Sequence, residues 1–202
     1  GNVTLGDSSN DYNTAIGVSA LSENNVTAEY VTVVGYQAGK SITTGSNATA
    51  LGYRALAELQ TGSQNTASGA FSLHHNTSGK RSTAFGYRSL ESNTEGNGNT
   101  ASGFLSLQSN STGNQNTAVG NRSLRSNSKG DENTAYGSRS LFKNSTGSQN
   151  TSIGYNAGSN LTSGNNCIAI GYNAQFSSDT VSNEVVIGDE NVENVYFGGT
   201  NK

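Results

Sequence analysis

The sequence has no proline, a single cysteine and few hydrophobic residues. Cys167 cannot form a disulfide within the chain, so the redox compartment stays open. Hydrophobic residues are 31% of the 202 residues, and no apolar run is long enough to cross a bilayer. A formal charge of −3 leaves no polybasic patch for nucleic acid or an anionic membrane. The chain begins with Gly1 rather than Met, which predicts a processed product or a fragment.

What the sequence does have is a repeat of fixed length. A glycine that follows the motif N-T-A-x (the motif glycine) returns every seventeen residues, and a second glycine follows it ten residues later. The motif glycines are Gly35, Gly52, Gly69, Gly86, Gly103, Gly120, Gly137, Gly154, Gly171 and Gly188, and the second glycines are Gly45, Gly62, Gly79, Gly96, Gly113, Gly130, Gly147 and Gly164. A composition dominated by Gly, Asn, Ser and Thr is typical of disorder, but a disordered chain has no reason to keep such a register. Self-similarity at a fixed period indicates a solenoid in which each repeat is one rung.

The consensus N-T-A-x-G-x-x-S-L-x-x-N-x-T-G-x-x predicts one short strand and several turns in each rung. The residues around N-T-A-x-G suit a strand with alternating faces, and the Asn, Ser, Gly and Thr after the leucine suit turns. The second glycine is expected to adopt a positive φ in one of these turns. No helix is predicted, because glycine interrupts every rung, and the absence of proline agrees with rungs that donate backbone N–H groups to each other. The predicted fold is all-β, a parallel β-solenoid or β-roll with a seventeen-residue rung.

The chain divides into three segments. Residues 1–34 are irregular N-terminal rungs, in which Gly6, Gly17 and Gly35 are spaced by eleven and then eighteen residues. Residues 35–171 form the regular array. Residues 172–202 are a C-terminal cap or transition segment with apolar strands at 185–188 and 195–198, and acidic residues gather in it, namely Asp179, Glu184, Asp189, Glu190 and Glu193. Atypical terminal repeats are expected in a solenoid, because an exposed end rung invites aggregation.

Three rows of identical or similar residues, or ladders, run through the array. A small residue, mostly alanine, lies two before the motif glycine, and leucine lies four after it at Leu56, Leu73, Leu90, Leu107, Leu124 and Leu141. Positions that do not vary have surroundings that repeat, so both ladders are placed in the core. Threonine lies three before the motif glycine, at Thr32, Thr49, Thr66, Thr83, Thr100, Thr117, Thr134 and Thr151. The threonines face either inward, where their hydroxyls bond along the stack, or outward as a polar face, and the inward arrangement is favoured.

Two further rows are candidates for binding a ligand. Tyrosine directly follows several motif glycines, as in Tyr53 and Tyr87, and offers a stacking surface to sugars. Packing at an interface between chains is the favoured use of these tyrosines. Arginine recurs two residues after the motif glycine, and such a row either binds an anionic glycan or only keeps the surface soluble; its members are Arg54, Arg88, Arg122 and Arg139.

Nothing else in the sequence indicates chemistry. His74 and His75 are the only histidines, and without a third ligand nearby they are interpreted as a solvated pair. Cys167 is expected to be a small buried residue, and the acidic cluster lacks the spacing of a calcium loop. We therefore predict no catalytic residue, no metal and no cofactor, and we expect that the chain is not an enzyme. Asparagines in the N-x-S/T pattern arise by chance in such a composition, among them Asn47, Asn110, Asn144 and Asn160.

The repeat resembles the N-T-A-V-G-Y-x-A-L repeats of phage and giant-virus tail-fibre proteins and related bacterial surface proteins, in stretches such as NTASGAFSLHHNTSG, NTAVGNRSLRSNSKG and NTSIGYNAGSNLTSG. The ending NNCIAIGYNAQFSSDTVSNEVVIGDENVENVYFGG is similar to the segment that closes such arrays. More distantly, the x-A-I-G strands resemble the head repeats of trimeric autotransporter adhesins, which form a left-handed parallel β-roll from three chains. The resemblance implies a homotrimer, with its chains either intertwined or packed side by side.

The function expected from these features is structural. The chain is predicted to be a segment of an extracellular or virion-surface fibre or adhesin, a rigid spacer with a multivalent surface for glycans or a host surface. Its partners are other copies of itself, as a homotrimer or filament, and cell-surface glycan, with no nucleic acid and no membrane insertion. One alternative is a self-assembling extracellular filament subunit. The other is an ice-binding solenoid, if the threonine ladder faces outward.

Overall fold

The structure is a computed structural model that describes residues 3–5 (backbone only), 12–23 and 26–195. These residues contain twelve three-residue strands and no helix, and the strands form one sheet in sequence order. The strands are β1 (Val3–Leu5), β2 (Thr14–Ile16), β3 (Thr32–Val34), β4 (Thr49–Leu51), β5 (Thr66–Ser68), β6 (Thr83–Phe85), β7 (Thr100–Ser102), β8 (Thr117–Val119), β9 (Thr134–Tyr136), β10 (Thr151–Ile153), β11 (Ile168–Ile170) and β12 (Val185–Ile187).

Strands β2 to β12 are parallel and stack in the register of the repeat. Thr49 pairs with Thr66 and Ala50 with Ala67, seventeen residues apart, and the same pairing continues to β12, beyond Gly171. The prediction of an all-β parallel solenoid with a seventeen-residue rung is confirmed. At about 4.8 Å between strands, the eleven parallel strands make a stack roughly 48 Å long. Strand β1 differs, because it pairs antiparallel to β2 and does not continue the coil in the same sense.

The core is a narrow column inside the coil, built from the small residue of each strand and from the leucine ladder. Ala50, Ala67 and Ala84 are fully buried, and so is every member of the leucine ladder from Leu56 to Leu141. Strand alternation places the middle residue of each strand inward and its two neighbours outward. A single chain therefore encloses its own core, and no second chain is needed to complete it.

The favoured inward placement of the threonine ladder is wrong. The threonines from Thr32 to Thr151 are half-buried or exposed, and they lie on the outer surface of the sheet. The physical reason is the two-residue period of a strand: threonine and alanine are adjacent, so the inward alanine turns the threonine outward. The outer face of each strand thus carries threonine and the residue before the motif glycine.

The second glycine is also not what the sequence suggests, because its φ is not in the left-handed region. A Cβ on Gly79 would lie 2.5 Å from the carbonyl oxygen of Gly96 and 2.8 Å from Nδ2 of Asn93, so glycine is required by lack of space. The motif glycine is the one with positive φ, from +82° at Gly188 to +142° at Gly103. Leucine and arginine positions of the rung also adopt positive φ, for example +51° at Leu90.

Buried asparagines form a second, polar core beside the leucines. The inner Asn ladder lies seven residues after the motif glycine and consists of Asn76, Asn93, Asn110, Asn127 and Asn144, all fully buried. Each Nδ2 after the first donates to Oδ1 of the preceding member at 2.8–3.0 Å, and also to the carbonyl oxygen of its own second glycine. A second buried ladder precedes the strands, with Asn116 Nδ2 donating to Asn99 Oδ1 at 3.2 Å and Asn133 Nδ2 to Asn116 Oδ1 at 3.0 Å. The sequence predicts turn residues at the inner Asn ladder, and that expectation misses the role of those asparagines as stacked amides.

The inner Asn ladder ends where its rung position becomes apolar. Ile42 and Leu59 occupy that position on one side and Leu161 on the other, all fully buried. Because leucine cannot donate a hydrogen bond, Oδ1 of Asn144 has no partner. The polar part of the core is thus bounded by apolar rungs at both ends.

At the C-terminal end, Val192 takes the place of a further rung. Elsewhere a Cβ on a motif glycine would meet the backbone of the next rung, but on Gly188 it would meet the Val192 side chain. The turn that brings Val192 there is closed by a hydrogen bond from its N–H to the Asp189 carbonyl oxygen at 3.2 Å. Of the strand expected at 195–198, only Val195 is described, outside any strand, and the rest lies outside the described residues.

Candidate binding surface

An exposed row of aromatic side chains follows the motif glycines along one side of the solenoid. Tyr36 and Tyr53 stack with their ring centroids 5.5 Å apart and an interplanar angle of 9°. Tyr87 and Phe104 stack in the same way, at 5.6 Å and 13°. All four rings are 41–44% exposed. The rung spacing of the coil therefore converts a residue repeated in sequence into a continuous stack in space.

Phe71 joins these two stacks. It lies two residues after its motif glycine, in the rung between Tyr53 and Tyr87, and its ring makes edge contacts of 5.1 Å to Tyr53 and 6.3 Å to Tyr87. Tyr36, Tyr53, Phe71, Tyr87 and Phe104 together form what we call the aromatic ridge. A further stacked pair, at 5.4 Å and 13°, lies nearer the C-terminal end. The sequence shows the aromatic residues. It does not show that Phe71, one position later in its rung than the tyrosines are in theirs, connects the two stacks.

Two of the four row arginines lie against the ridge. The Arg54 guanidinium is 5.4 Å from the Tyr53 ring centroid, and its Nε donates to the side-chain carbonyl of Gln37 at 2.7 Å. The Arg88 guanidinium is 5.2 Å from the Tyr87 centroid and 5.4 Å from that of Phe71. These distances are typical of cation–π contacts.

The other two row arginines, Arg122 and Arg139, lie beyond the ridge. Asparagine or serine follows the motif glycine in their rungs. Arg139 instead lies 5.9 Å from the ring centroid of Phe142. Only Arg54 and Arg88 of the predicted arginine row therefore share a surface with the predicted tyrosines.

The outer face of the strands adds apolar surface beside the ridge. The residue before the motif glycine points outward and is large and exposed in many rungs, with Leu51 40%, Phe85 49%, Tyr136 60% and Ile153 43% exposed. The outward threonines run parallel to this row. The result is one elongated side of the rod that is aromatic and aliphatic, interrupted by serine.

A separate cluster joins the two histidines to a carboxylate. His75 Nδ1 lies 3.0 Å from Glu58 Oε2, and His74 Nε2 lies 3.9 Å from Glu58 Oε1. His74 Nδ1 lies 3.2 Å from the Arg54 carbonyl oxygen, and burial lowers the pKa of this imidazole, so the neutral ring donates its Nδ1–H there. The sequence interpretation of a pair without a third residue is wrong, because Glu58 lies directly beside His75 on the preceding rung.

The remaining candidates have structural surroundings. Cys167 is fully buried, and its thiol donates to backbone carbonyl oxygens. Glu184 accepts from Ser177, and Asp189 accepts from Asn191, so these two carboxylates bind their own loops. Among the described residues, the acidic segment forms no group with metal-ligand spacing.

The N-x-S/T asparagines fall into two groups. Asn47 is exposed and Asn160 is half-buried. Asn110 and Asn144 are fully buried members of the inner Asn ladder. A bulky glycan cannot be attached to either of these two in the folded chain.

Comparison with protein-family models, with characterised proteins and with solved structures found no match to this chain. In the described part of the chain, no helix is long and apolar enough to span a membrane. The surface that carries the most specific geometry is the aromatic ridge with Arg54 and Arg88. It is an elongated exposed surface rather than a pocket.

Proposed function

We propose that this chain is a non-enzymatic structural segment of an extracellular or virion-surface fibre or adhesin, acting as a rigid spacer. The aromatic ridge and the neighbouring outer strand face pack against other copies of the chain. The observation that carries the proposal is the ridge itself, five stacked or edge-packed aromatic side chains in line with the rod axis. The extracellular or virion setting follows from the resemblance to tail-fibre and adhesin repeats.

Rigidity is supported by the way in which consecutive rungs are joined. The N–H of Thr49 donates to the Asn65 carbonyl oxygen of the next rung at 2.9 Å, while the N–H of Gly52 donates to the Val34 carbonyl oxygen of the previous rung at 2.8 Å. The leucine ladder and the inner Asn ladder add side-chain contacts across the same junctions. Bending the rod between rungs would break all of these interactions together.

The orientation of the rings favours a protein partner. Tyr36 and Tyr53, and likewise Tyr87 and Phe104, cover each other's faces, so mainly ring edges remain available on the outside. A sugar stacks on the face of an aromatic ring, whereas ring edges pack well against aliphatic and aromatic surfaces of a neighbouring chain. A large exposed apolar surface is also what marks an association site.

The test is the mass of the untagged chain by sedimentation across a tenfold concentration range. We expect a fixed multiple of the chain mass, threefold for a homotrimer, for the wild type and for a control with Lys129→Ser and Gln149→Ser in exposed turns. The double variant Tyr53→Ser with Tyr87→Ser is expected to be a monomer with an unchanged circular dichroism spectrum. A monomeric wild type at every concentration contradicts the proposal, and a mass that grows with concentration identifies the filament alternative.

Glycan binding by the same ridge is the second candidate, and the two arginines favour it. Arg54 and Arg88 place positive charge beside aromatic rings, the combination that suits an acidic sugar. Binding of the wild type to immobilised acidic and neutral glycans, compared with Arg54→Gln plus Arg88→Gln, tests it. Equal binding of both proteins, or of both glycan classes, contradicts a role for these charges.

Ice binding gains one supporting observation, the outward threonine ladder. The neighbouring outward row works against it, because residues as different as Ser68 and Phe85 alternate there and prevent a flat face. A thermal-hysteresis measurement on the purified chain decides this. Absence of hysteresis removes the alternative.

A further inference from the structure

We propose that Glu58, His74 and His75 form a binding site for one divalent transition-metal ion, with Zn²⁺ as the best-suited ion. The three residues lie on two consecutive rungs, and their potential ligand atoms all lie within 4.8 Å of one another. They offer two imidazole nitrogens and one carboxylate oxygen, a donor set that protein zinc sites use. The site does not depend on the proposed association of chains.

The distances allow one ion to contact all three groups. Zn²⁺ holds nitrogen and oxygen ligands at about 2.0–2.2 Å, so two ligand atoms on a tetrahedral ion are roughly 3.3–3.6 Å apart. His75 Nδ1 and Glu58 Oε2 are 3.0 Å apart, and His74 Nε2 and Glu58 Oε1 are 3.9 Å apart. Small rotations of the exposed Glu58 and His75 side chains close the difference. On binding, the ion takes the place of the hydrogen between His75 Nδ1 and Glu58, and the neutral His75 ring carries its proton on Nε2 instead.

His74 is held in the orientation and tautomer that a ligand needs. Its Nδ1–H donates to the Arg54 carbonyl oxygen at 3.2 Å, which leaves the lone pair of Nε2 directed towards Glu58. The ring also makes an edge contact with Phe71 at 5.5 Å. A backbone carbonyl on the second nitrogen is the usual outer partner of a metal-bound histidine.

Access and specificity follow from the surroundings. The side chains of Glu58 and His75 are 48% and 45% exposed, whereas that of His74 is 12% exposed, so an ion enters from solvent and meets one fixed ligand. The fourth position of the ion is open to water. Imidazole ligands favour Zn²⁺, Ni²⁺ and Cu²⁺ over Ca²⁺ and Mg²⁺, which prefer oxygen.

The site occurs once in the chain, because these are its only two histidines. In other rungs the same positions carry residues such as Glu91 with Ser92, or Gln108 with Ser109. The ion would link the rung of Glu58 to the rung of the histidines at the side next to the aromatic ridge. It would act as a cross-link between two rungs.

The experiment uses the full chain without a histidine tag, titrated with Zn²⁺ by calorimetry and by NMR of the imidazole protons. We expect one Zn²⁺ per chain with a micromolar Kd, with the signals of both histidines shifting together and with no response to Ca²⁺. Glu58→Gln and His75→Gln are each expected to weaken binding at least about tenfold. Glu95→Gln, an exposed carboxylate outside the cluster, is the matched control and should bind as the wild type does.

Three results would overturn the site. Glu58→Gln with wild-type affinity means that the two histidines hold the ion without the carboxylate. If the wild type is not saturated below about 1 mM Zn²⁺, the binding free energy is weaker than about −4 kcal/mol, and the three residues do not form a specific site. Half an ion per chain means that two molecules share it. Because Glu58 and His75 are half exposed, the variants should keep the wild-type circular dichroism spectrum, and that measurement separates loss of binding from loss of fold.

Discussion

Leucine in place of one buried asparagine should have different effects in the middle and at the end of the inner Asn ladder. The two variants are Asn110→Leu and Asn144→Leu. Leu59 and Leu161 occupy the same rung position and are fully buried, so the coil accepts a leucine there. The rungs of Asn110 and Asn144 both carry the buried serine and leucine of the consensus. The cost of fitting a larger leucine side chain into the rung should therefore be similar in the two variants. The comparison therefore isolates hydrogen bonding along the ladder.

The expected difference follows from counting unpaired atoms. Asn110 donates to Asn93 Oδ1 and accepts from Asn127 Nδ2, both at 2.8 Å, so Asn110→Leu leaves one buried acceptor and one buried N–H without those partners. Asn144→Leu removes the already unpaired Oδ1 of Asn144 and leaves Asn127 Oδ1 unpaired instead, so the number of unpaired acceptors does not change. Two unsatisfied groups at about 1–3 kcal/mol each make Asn110→Leu less stable than Asn144→Leu by roughly 2–6 kcal/mol.

Urea unfolding at equilibrium, followed by circular dichroism, measures the difference. The wild type and both variants are compared at matched m-values, because a changed m-value would show a change in the unfolded or native state rather than in the ladder. The reasoning is refuted if Asn144→Leu loses as much stability as Asn110→Leu. In that case the asparagines matter through shape or local turn geometry, and the amide stacking adds nothing.

Three more predictions concern single positions. Gly96→Ala should destabilise the fold by about 3 kcal/mol or more, because its Cβ would lie closer than 3.0 Å to three polar atoms, whereas Gly98→Ala has space and should cost only about 1–2 kcal/mol for its φ of +68°. Equal unfolding midpoints would contradict the steric explanation. Gln115→Asn should raise the unfolding free energy by a few tenths to about 1 kcal/mol, because Gln115 has a φ of +55° that asparagine tolerates better; a lower midpoint contradicts it. When the chain is secreted from a glycosylating host, peptide mass spectrometry should find sugar on the exposed Asn47 and none on the buried Asn110. Sugar on Asn110 in the folded protein would show that this side chain is accessible and not part of a buried ladder.

The period and the apolar core could be predicted from the sequence, since a solenoid gives residues seventeen apart the same surroundings. The invariant leucines must then share one environment, and leucine is most stable when buried. The outward direction of the threonines could also have been predicted from the sequence. A strand cannot direct adjacent residues to the same face, so an inward Ala50 already requires an outward Thr49. An inward threonine ladder would need hydroxyl bonding along the stack to outweigh the alternation of the strand, and it does not.

The asparagine ladders and the cluster of Glu58, His74 and His75 were harder to predict. Asparagine is common in turns, and composition alone does not distinguish a turn asparagine from one whose amide stacks on the next rung. Glu58 and His75 are seventeen residues apart, so they are not recognised as neighbours when only nearby residues in the sequence are compared. Writing the sequence in rows of seventeen places the glutamate directly beside the histidine. Only the structure shows that both side chains leave the coil on the same side and that His74 is held by the Arg54 carbonyl.

The boundary between polar and apolar rungs gives the array a way to distinguish rungs that are otherwise almost alike. If the chain looped out one whole rung between Gly52 and Gly137, the leucine and threonine ladders would still match, since every rung in that part supplies the same two residues. A misalignment that stacked Leu59 or Leu161 between two members of the inner Asn ladder would instead leave buried amide groups unpaired, at about 1–3 kcal/mol each. Ile42 and Leu59 at one end and Leu161 at the other therefore fix where the polar section begins and stops. The asparagines cost desolvation that more leucine would not, and in return they oppose alternative registers of a repetitive sequence.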